Sequence, residues 1–142
     1  PLRLVGSEMC IRDRFIIAEC LKRTNGSSTD METAYLNGIK GSFDDAGLTS
    51  AQYDAYVGQA AVNPGGASLD LEDHILTQKY IGLFIQPEVF NDLRRNDFPA
   101  LTPVSGSQLP VRWNYSENEI LFNSNFTAGE ASLFSPKNSW DN

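Results

Sequence analysis

The sequence predicts a mainly α-helical scaffold that gives way to an extended, largely irregular C-terminal tail. Three observations carry this. Apolar residues recur at helical spacing behind two capping boxes, Thr29 with Glu32 and Thr49 with Gln52. An apolar run at 80–85 meets Pro87, whose fixed φ and missing N–H suit the first position of a new helix. After Phe98, the prolines Pro99, Pro103, Pro110 and Pro136 stand among many Ser and Asn with no helical period.

In chain order, a first helix is expected over 15–24, with Ile17 and Leu21 along one face and Asn25-Gly26 as its stop. A second, over 30–46, places Met31, Tyr35, Ile39 and Phe43 on one stripe. Gly38 and Gly41 inside it cost about 1 kcal/mol each relative to alanine, which tertiary packing must offset, and Gly47 ends it. The third helix starts at the Thr49–Gln52 box, carries Tyr53, Tyr56, Val57, Ala60 and Ala61 on its apolar face, and breaks at Asn63-Pro64-Gly65-Gly66. Ser68 is expected to cap the fourth, with Asp70, Glu72 and Asp73 toward its positive end. Its polar start and apolar finish describe a helix that begins in water and ends inside the protein. The chain then bends near Gln86. A fifth helix over 88–95 carries Val89, Phe90 and Leu93, has Glu88 at its positive end, and closes in Arg94-Arg95 before Pro99. Short connections predict antiparallel neighbours. In the tail, Leu121, Phe122, Phe126, Leu133, Phe134 and Trp140 are the expected anchors.

The stretch QKYIGLFIQPEVFNDLRRNDFP at 78–99 resembles a pattern of the SusD/RagB family, the surface glycan-binding lipoproteins of Bacteroidetes outer membranes. The matching positions are Gln78, Lys79, Tyr80, Glu88, Phe90, Asn91, Asp92, Arg94, Arg95, Phe98 and Pro99. A second block, LPVRWNYSENEILFNSNF, looks like another family segment through Pro110, Arg112, Tyr115, Glu119 and Asn123, with Ser116 where the family usually has proline. The ending Ser139-Trp140-Asp141 is similar to the family's finish, Ser139 replacing an aromatic. FIIAE at 15–19 is similar to the L-x-x-A-E opening of a SusD helix, whereas PLRLVGSEMCIRDR before it resembles translated sequencing-adapter read-through. Residues 1–14 are therefore expected to be a non-native leader. Residues 15–142 are then the C-terminal part of a SusD-like domain, helical over 15–98 and extended over 99–142.

The resemblance implies a tetratricopeptide-like helical scaffold, although no repeat of about 34 residues is legible. It also implies a fragment of a longer, non-enzymatic protein held at the bacterial cell surface by lipid. Such a protein works with a TonB-dependent, SusC-like transporter in the uptake of oligosaccharide or another nutrient, without a cofactor. Gln78, Lys79, Arg94, Arg95, Pro99, Pro110, Arg112, Glu119 and Asn123 would be its framework. Among these, Arg94, Arg95, Arg112 and Glu119 would pin the tail to the helices, arginine forks holding carboxylates or carbonyls. Sugars are bound in the family by aromatic faces, and the candidates are Trp113, Tyr115 and Trp140, interleaved with Asn114 and Asn118. Each also reads as a buried anchor, because an extended tail needs large apolar contacts to stay down. The family's main sugar site is built largely from parts outside the matched stretches.

Composition narrows the classes. Eleven basic against 18 acidic residues give a net charge of −7, which argues against nucleic acid, whose phosphates demand a basic surface. Removing the leader takes away Arg3, Arg12 and Arg14 against Glu8 and Asp13, leaving the rest more acidic. Cys10 and Cys20 cannot make a disulfide framework or a metal cluster. No apolar run approaches the roughly 20 residues that span a bilayer. No signal peptide is legible, which in a fragment says nothing about location. Asp44-Asp45 and Glu72-Asp73 could suggest paired glycosidase carboxylates, but adjacent residues on a helix point apart, and capping or solvated surface explains both pairs. His74 is the only histidine, so the chain by itself holds no histidine pair. Around Asp44, Asp45 and Gly47 the alternating ligands of a calcium loop are missing, and no metal is expected. Asn25, Asn114 and Asn125 open glycosylation sequons, which a bacterial origin makes irrelevant. The rival readings are an intracellular helical-hairpin adaptor that binds peptides and a small glycan hydrolase.

Overall fold

A computed structural model describes residues 3–65, 71–106, 108–126 and 132–134 of the chain. Ser68, Asp70, Thr127, Pro136 and the Ser139-Trp140-Asp141 ending lie outside the described residues. The described residues form six helices and no strand: α1 (Arg3–Arg23), α2 (Ser28–Asp45), α3 (Ser50–Val57), α4 (Leu71–Gly82), α5 (Pro87–Asn96) and α6 (Glu117–Phe122). The fold is mainly α, as the sequence predicts. Two compact units, Pro1–Asn91 and Asp92–Asn142, divide within α5.

In the first unit, α1 starts well before residue 15, so the expected boundary after Arg14 falls inside a continuous helix. Its end is as predicted: Lys22 and Arg23 occupy the last turn, Asn25 takes φ 52°, and the Gly26 N–H donates to Leu21 O at 2.8 Å. The cap of α2 differs from expectation. Ser27, not Thr29, accepts from the Asp30 N–H, so the helix opens earlier and Thr29 is already inside it. At the other end Gly47 adopts φ 70°, Gly47 N–H donates to Asp44 O and Leu48 N–H to Phe43 O, a left-handed closure that glycine permits. The Thr49–Gln52 box of α3 forms in full, with the Thr49 N–H donating to Gln52 Oε1 at 2.8 Å and the Thr49 side chain accepting from the Gln52 N–H. α3 nevertheless ends at Gly58, short of Ala60 and Ala61, because the glycine is a weak helix former with little packing behind it.

Side-chain register shows how the helices lie. Ile11 meets Gly41 and Phe15 meets Gly38, so α1 and α2 run antiparallel. Phe15 also meets Gly82, Glu19 meets Lys79, and Arg23 meets Glu72, which makes α4 antiparallel to α1 as well. The core is Ile11, Phe15, Ala18, Met31, Ala34, Tyr35, Ile39, Val62, Ile75 and Leu83. The predicted stripe of α2 supplies three of these, and Phe43 packs against them with Tyr53 and Tyr56 edge-on or tilted at 5.8 and 5.2 Å. The two interior glycines of α2 are explained by α1: a Cβ at Gly38 would stand 2.9 Å from the Phe15 ring, and one at Gly41 would stand 3.0 Å from Ile11.

The finish of α4 is a correction. His74, Ile75, Leu76, Gln78, Lys79 and Leu83 are buried, but Ile81, Phe84 and Ile85 are exposed. The apolar run outlasts the helix: after Gly82 the chain turns, Ile85 sits at φ 74°, and only Leu83 is carried inward. Pro87 then opens α5, as predicted.

Among its described residues the second unit is irregular except for the end of α5 and for α6, a short helix that the proline and serine spacing did not predict. Ser116 caps it, accepting from the Glu119 N–H at 3.3 Å. That Ser-x-x-Glu spacing is the same signal as in the two boxes read from the sequence. Leu121 and Phe122 lie on α6 and are exposed, so they are not the anchors expected of them; Phe134 is exposed too. The Val111 N–H donates to Leu133 O at 2.8 Å, tying two parts of the tail together.

Candidate functional site

Gln78 and Lys79 are buried on the inward face of α4. Gln78 Oε1 accepts from the Tyr56 hydroxyl at 3.0 Å, linking α4 to α3. Lys79 Nζ lies 3.2 Å from Glu19 Oε2, both side chains almost wholly out of water. Glu19 Oε1 is also 3.1 Å from Arg23, whose Nε is 3.0 Å from Glu72. One chain of charges thus joins the acid of the FIIAE stretch to the lysine of the 78–99 stretch, and buried ions are tolerated only when paired in this way. Glu88 pairs with Arg12 at 2.9 Å besides standing at the positive end of α5.

The remaining framework residues, from Arg94 to Asn123, lie in the second unit. Arg94 is buried, and Arg95 pairs with Asp92 at 3.0 Å. Pro99 and Pro110 line one small cavity of about 160 Å³ with Leu93, Arg94, Leu101 and Val111. Arg112 places its guanidinium 4.8 Å from the centre of the Tyr115 ring, and Phe126 meets the same ring edge-on at 5.2 Å and 74°. Asn123 donates to the Glu119 carboxylate across one turn of α6. Of the four charges that the sequence groups together, Glu119 accepts from Asn123 at the end of α6, Arg95 pairs with Asp92 of its own helix, Arg112 lies over an aromatic ring, and Arg94 lines the cavity with Pro99 and Pro110. Trp113 is 64% exposed and Tyr115 36% exposed, contrary to the reading of both as buried anchors. Nothing in the local sequence separates an anchor from an exposed ring, because that depends on what packs over the strap.

The carboxylate pairs do not converge. Asp44 bonds Lys40 at 3.2 Å, and Glu72 is engaged by Arg23. His74 is fully buried in the first unit. Among the described residues no three His, Cys, Asp or Glu side chains are grouped to hold a metal, and no helix is long and apolar enough to cross a membrane. Among the described residues the phenols of Tyr35 and Tyr53 are perturbed. Burial, with Tyr56 and Tyr53 adding to it, pushes the Tyr35 phenol well above its usual value, and its hydroxyl donates to Val62 O at 2.6 Å. Burial also raises Tyr53, whereas Lys40 opposes the shift. Tyr35 holds the chain beyond α3 in place.

A family model, SusD-like_2, described as starch-binding associating with outer membrane, matches residues 11–116. The match contains Glu19, Gln78, Lys79, Arg94, Arg95 and Arg112, ends before Glu119 and Asn123, and takes in Ile11, Arg12 and Arg14 of the expected leader. No curated protein and no solved structure matches the chain.

Proposed function

This chain belongs to the SusD-like family of starch-binding proteins that associate with the outer membrane, and from that premise we propose that it serves in the uptake of oligosaccharide or another nutrient at the bacterial cell surface. It binds without turnover and works with a TonB-dependent, SusC-like transporter, to which it passes the captured sugar. A lipid on the full-length protein holds it to the membrane. The observation that carries this reading is the family match over residues 11–116. The net charge of −7 agrees with it, since a neutral sugar needs no basic surface.

Two measurements test it. Calorimetric titration of the full chain with maltoheptaose should give saturable heat, and detergent extracts of outer membranes from the source cells should yield the protein together with a large barrel transporter. No heat with maltoheptaose rejects the starch-type ligand, and recovery of the protein in the cytosolic fraction rejects the surface assignment.

A further inference from the structure

The turn between α4 and α5 is strained in a way that its own fold does not explain. Ile85 lies at φ 74°, a left-handed conformation that a β-branched side chain adopts only under strain and that glycine or asparagine would take at less cost. The side chain gains no burial in return: it is 84% exposed, and Phe84 beside it is 67% exposed. The backbone nevertheless holds both residues out. The Leu83 N–H donates to Lys79 O at 3.0 Å, the Phe84 N–H to Ile81 O at 3.3 Å and the Gln86 N–H to Leu83 O at 2.9 Å, while Leu83 is anchored in the core and Pro87 starts α5 at once. Ile81 and Leu48 are exposed as well, and with Phe84 they line a groove of about 330 Å³. The first unit thus presents a preformed apolar tip, which loses little conformational freedom on meeting another surface.

The chemistry around the tip selects that surface. Leu48, Ile81, Phe84, Ile85 and Gln86 carry no charge, and Glu88, the next acid along the chain, is paired with Arg12. Asp45 on the groove wall and the net charge of −7 oppose nucleic acid and anionic lipid alike. A second copy of the chain would bring its own acidic surface against the same wall. A bilayer interface without net charge suits the tip, because it takes up apolar side chains in proportion to the area they bury and demands no countercharge. The family's association with the outer membrane brings such a surface within reach. We propose that the α4–α5 turn is a membrane-contact element, with Phe84 and Ile85 entering the interfacial layer of a zwitterionic bilayer and Ile81 and Leu48 lying against it. This rests on the cell-surface reading above and deepens it: the contact adds to the lipid attachment and fixes which end of the first unit faces the membrane.

The test is partition of the full chain and its variants onto phosphatidylcholine vesicles, measured by flotation at millimolar lipid. The unmodified chain should float with these vesicles and bind less when phosphatidylglycerol replaces part of the lipid. Phe84→Ser should weaken partition about tenfold, the effect of roughly two methylenes withheld from the bilayer. Ile85→Asn should weaken it as much while its thermal midpoint holds or rises, because asparagine accepts the left-handed φ; a residue kept only for the fold would lower the midpoint instead. Leu121→Ser, which removes an equally exposed side chain from α6, should leave partition unchanged. The inference is overturned if the unmodified chain does not float with phosphatidylcholine, if phosphatidylglycerol strengthens binding, if Phe84→Ser and Ile85→Asn partition as the unmodified chain does, or if Leu121→Ser lowers partition equally. Loss of a co-purifying barrel transporter in Phe84→Ser, with vesicle partition unchanged, makes the tip a protein contact and likewise overturns it. Each of these results leaves the cell-surface reading standing, which falls instead on recovery of the protein in the cytosolic fraction.

Discussion

Alanine at Gly38 pits helix propensity against packing, and the geometry decides which wins. In an exposed helix the substitution would gain about 0.8–1.0 kcal/mol. Here the added Cβ would stand 2.9 Å from Phe15 Cε1 and Cζ and 3.0 Å from Cε2. The ring has nowhere to go: Phe15 is fully buried, Tyr35 meets it edge-on at 6.5 Å, and Gly82 of α4 faces it so closely that a Cβ there would be 3.3 Å from Cε2. Forcing a methyl into such a site costs about 1–3 kcal/mol, so Gly38→Ala should lower stability by about 1 kcal/mol net. With a urea m-value of roughly 1–3 kcal/mol/M, the unfolding midpoint should fall by about 0.3–1 M. Trimming the ring in the Gly38→Ala background, as Phe15→Leu, should destabilise less than Phe15→Leu does alone, because the two changes relieve each other. A midpoint that rises in Gly38→Ala would mean that α1 and α2 do not approach as closely as described, and the explanation of the interior glycines would be wrong.

Two further outcomes follow from the buried polar groups. Glu19→Leu leaves the Lys79 ammonium buried beside an apolar side chain and should cost about 3–5 kcal/mol, whereas Glu19→Leu with Lys79→Met should recover most of it; equal midpoints for the single and double variants in urea unfolding would refute the pairing. Tyr35 makes stability pH-dependent on the alkaline side. Its phenol is raised by burial in the folded chain, so the native state holds the proton more tightly than the unfolded one; its stabilisation is complete below the ordinary value of 10.0 and declines as pH rises above it. Tyr35→Phe should flatten that decline while lowering neutral-pH stability by about 1–3 kcal/mol through the unpaired Val62 carbonyl; an unchanged alkaline slope in the variant would sink the assignment.

How far each feature can be read from the chain depends on the distance over which it is decided. The Thr49–Gln52 box, the Gly47 closure, the stripe of α2 and the restart at Pro87 all rest on groups within a few residues of one another, and each stands where it was predicted. The local errors share that range: Ser27 displaced Thr29 as a cap, Gly58 cut α3 short, and the Ser116–Glu119 signal went unread among the prolines.

By itself, then, the sequence determined the helical class, the bend before α5, the acidic character and the motif positions through which the family is recognised. Tertiary structure decided what those positions do. It set Glu19 against Lys79, 60 residues away, and turned a lysine that could have been solvated into half of a buried ion pair. It placed Phe15 against Gly38 and Ile11 against Gly41, supplying the packing that offsets the cost of both glycines to their helix. It also left Trp113 exposed and set the Arg112 guanidinium over the Tyr115 ring. The reason is physical: hydrogen bonds within a helix close over three or four residues, whereas burial and charge pairing are properties of whichever distant surfaces come together.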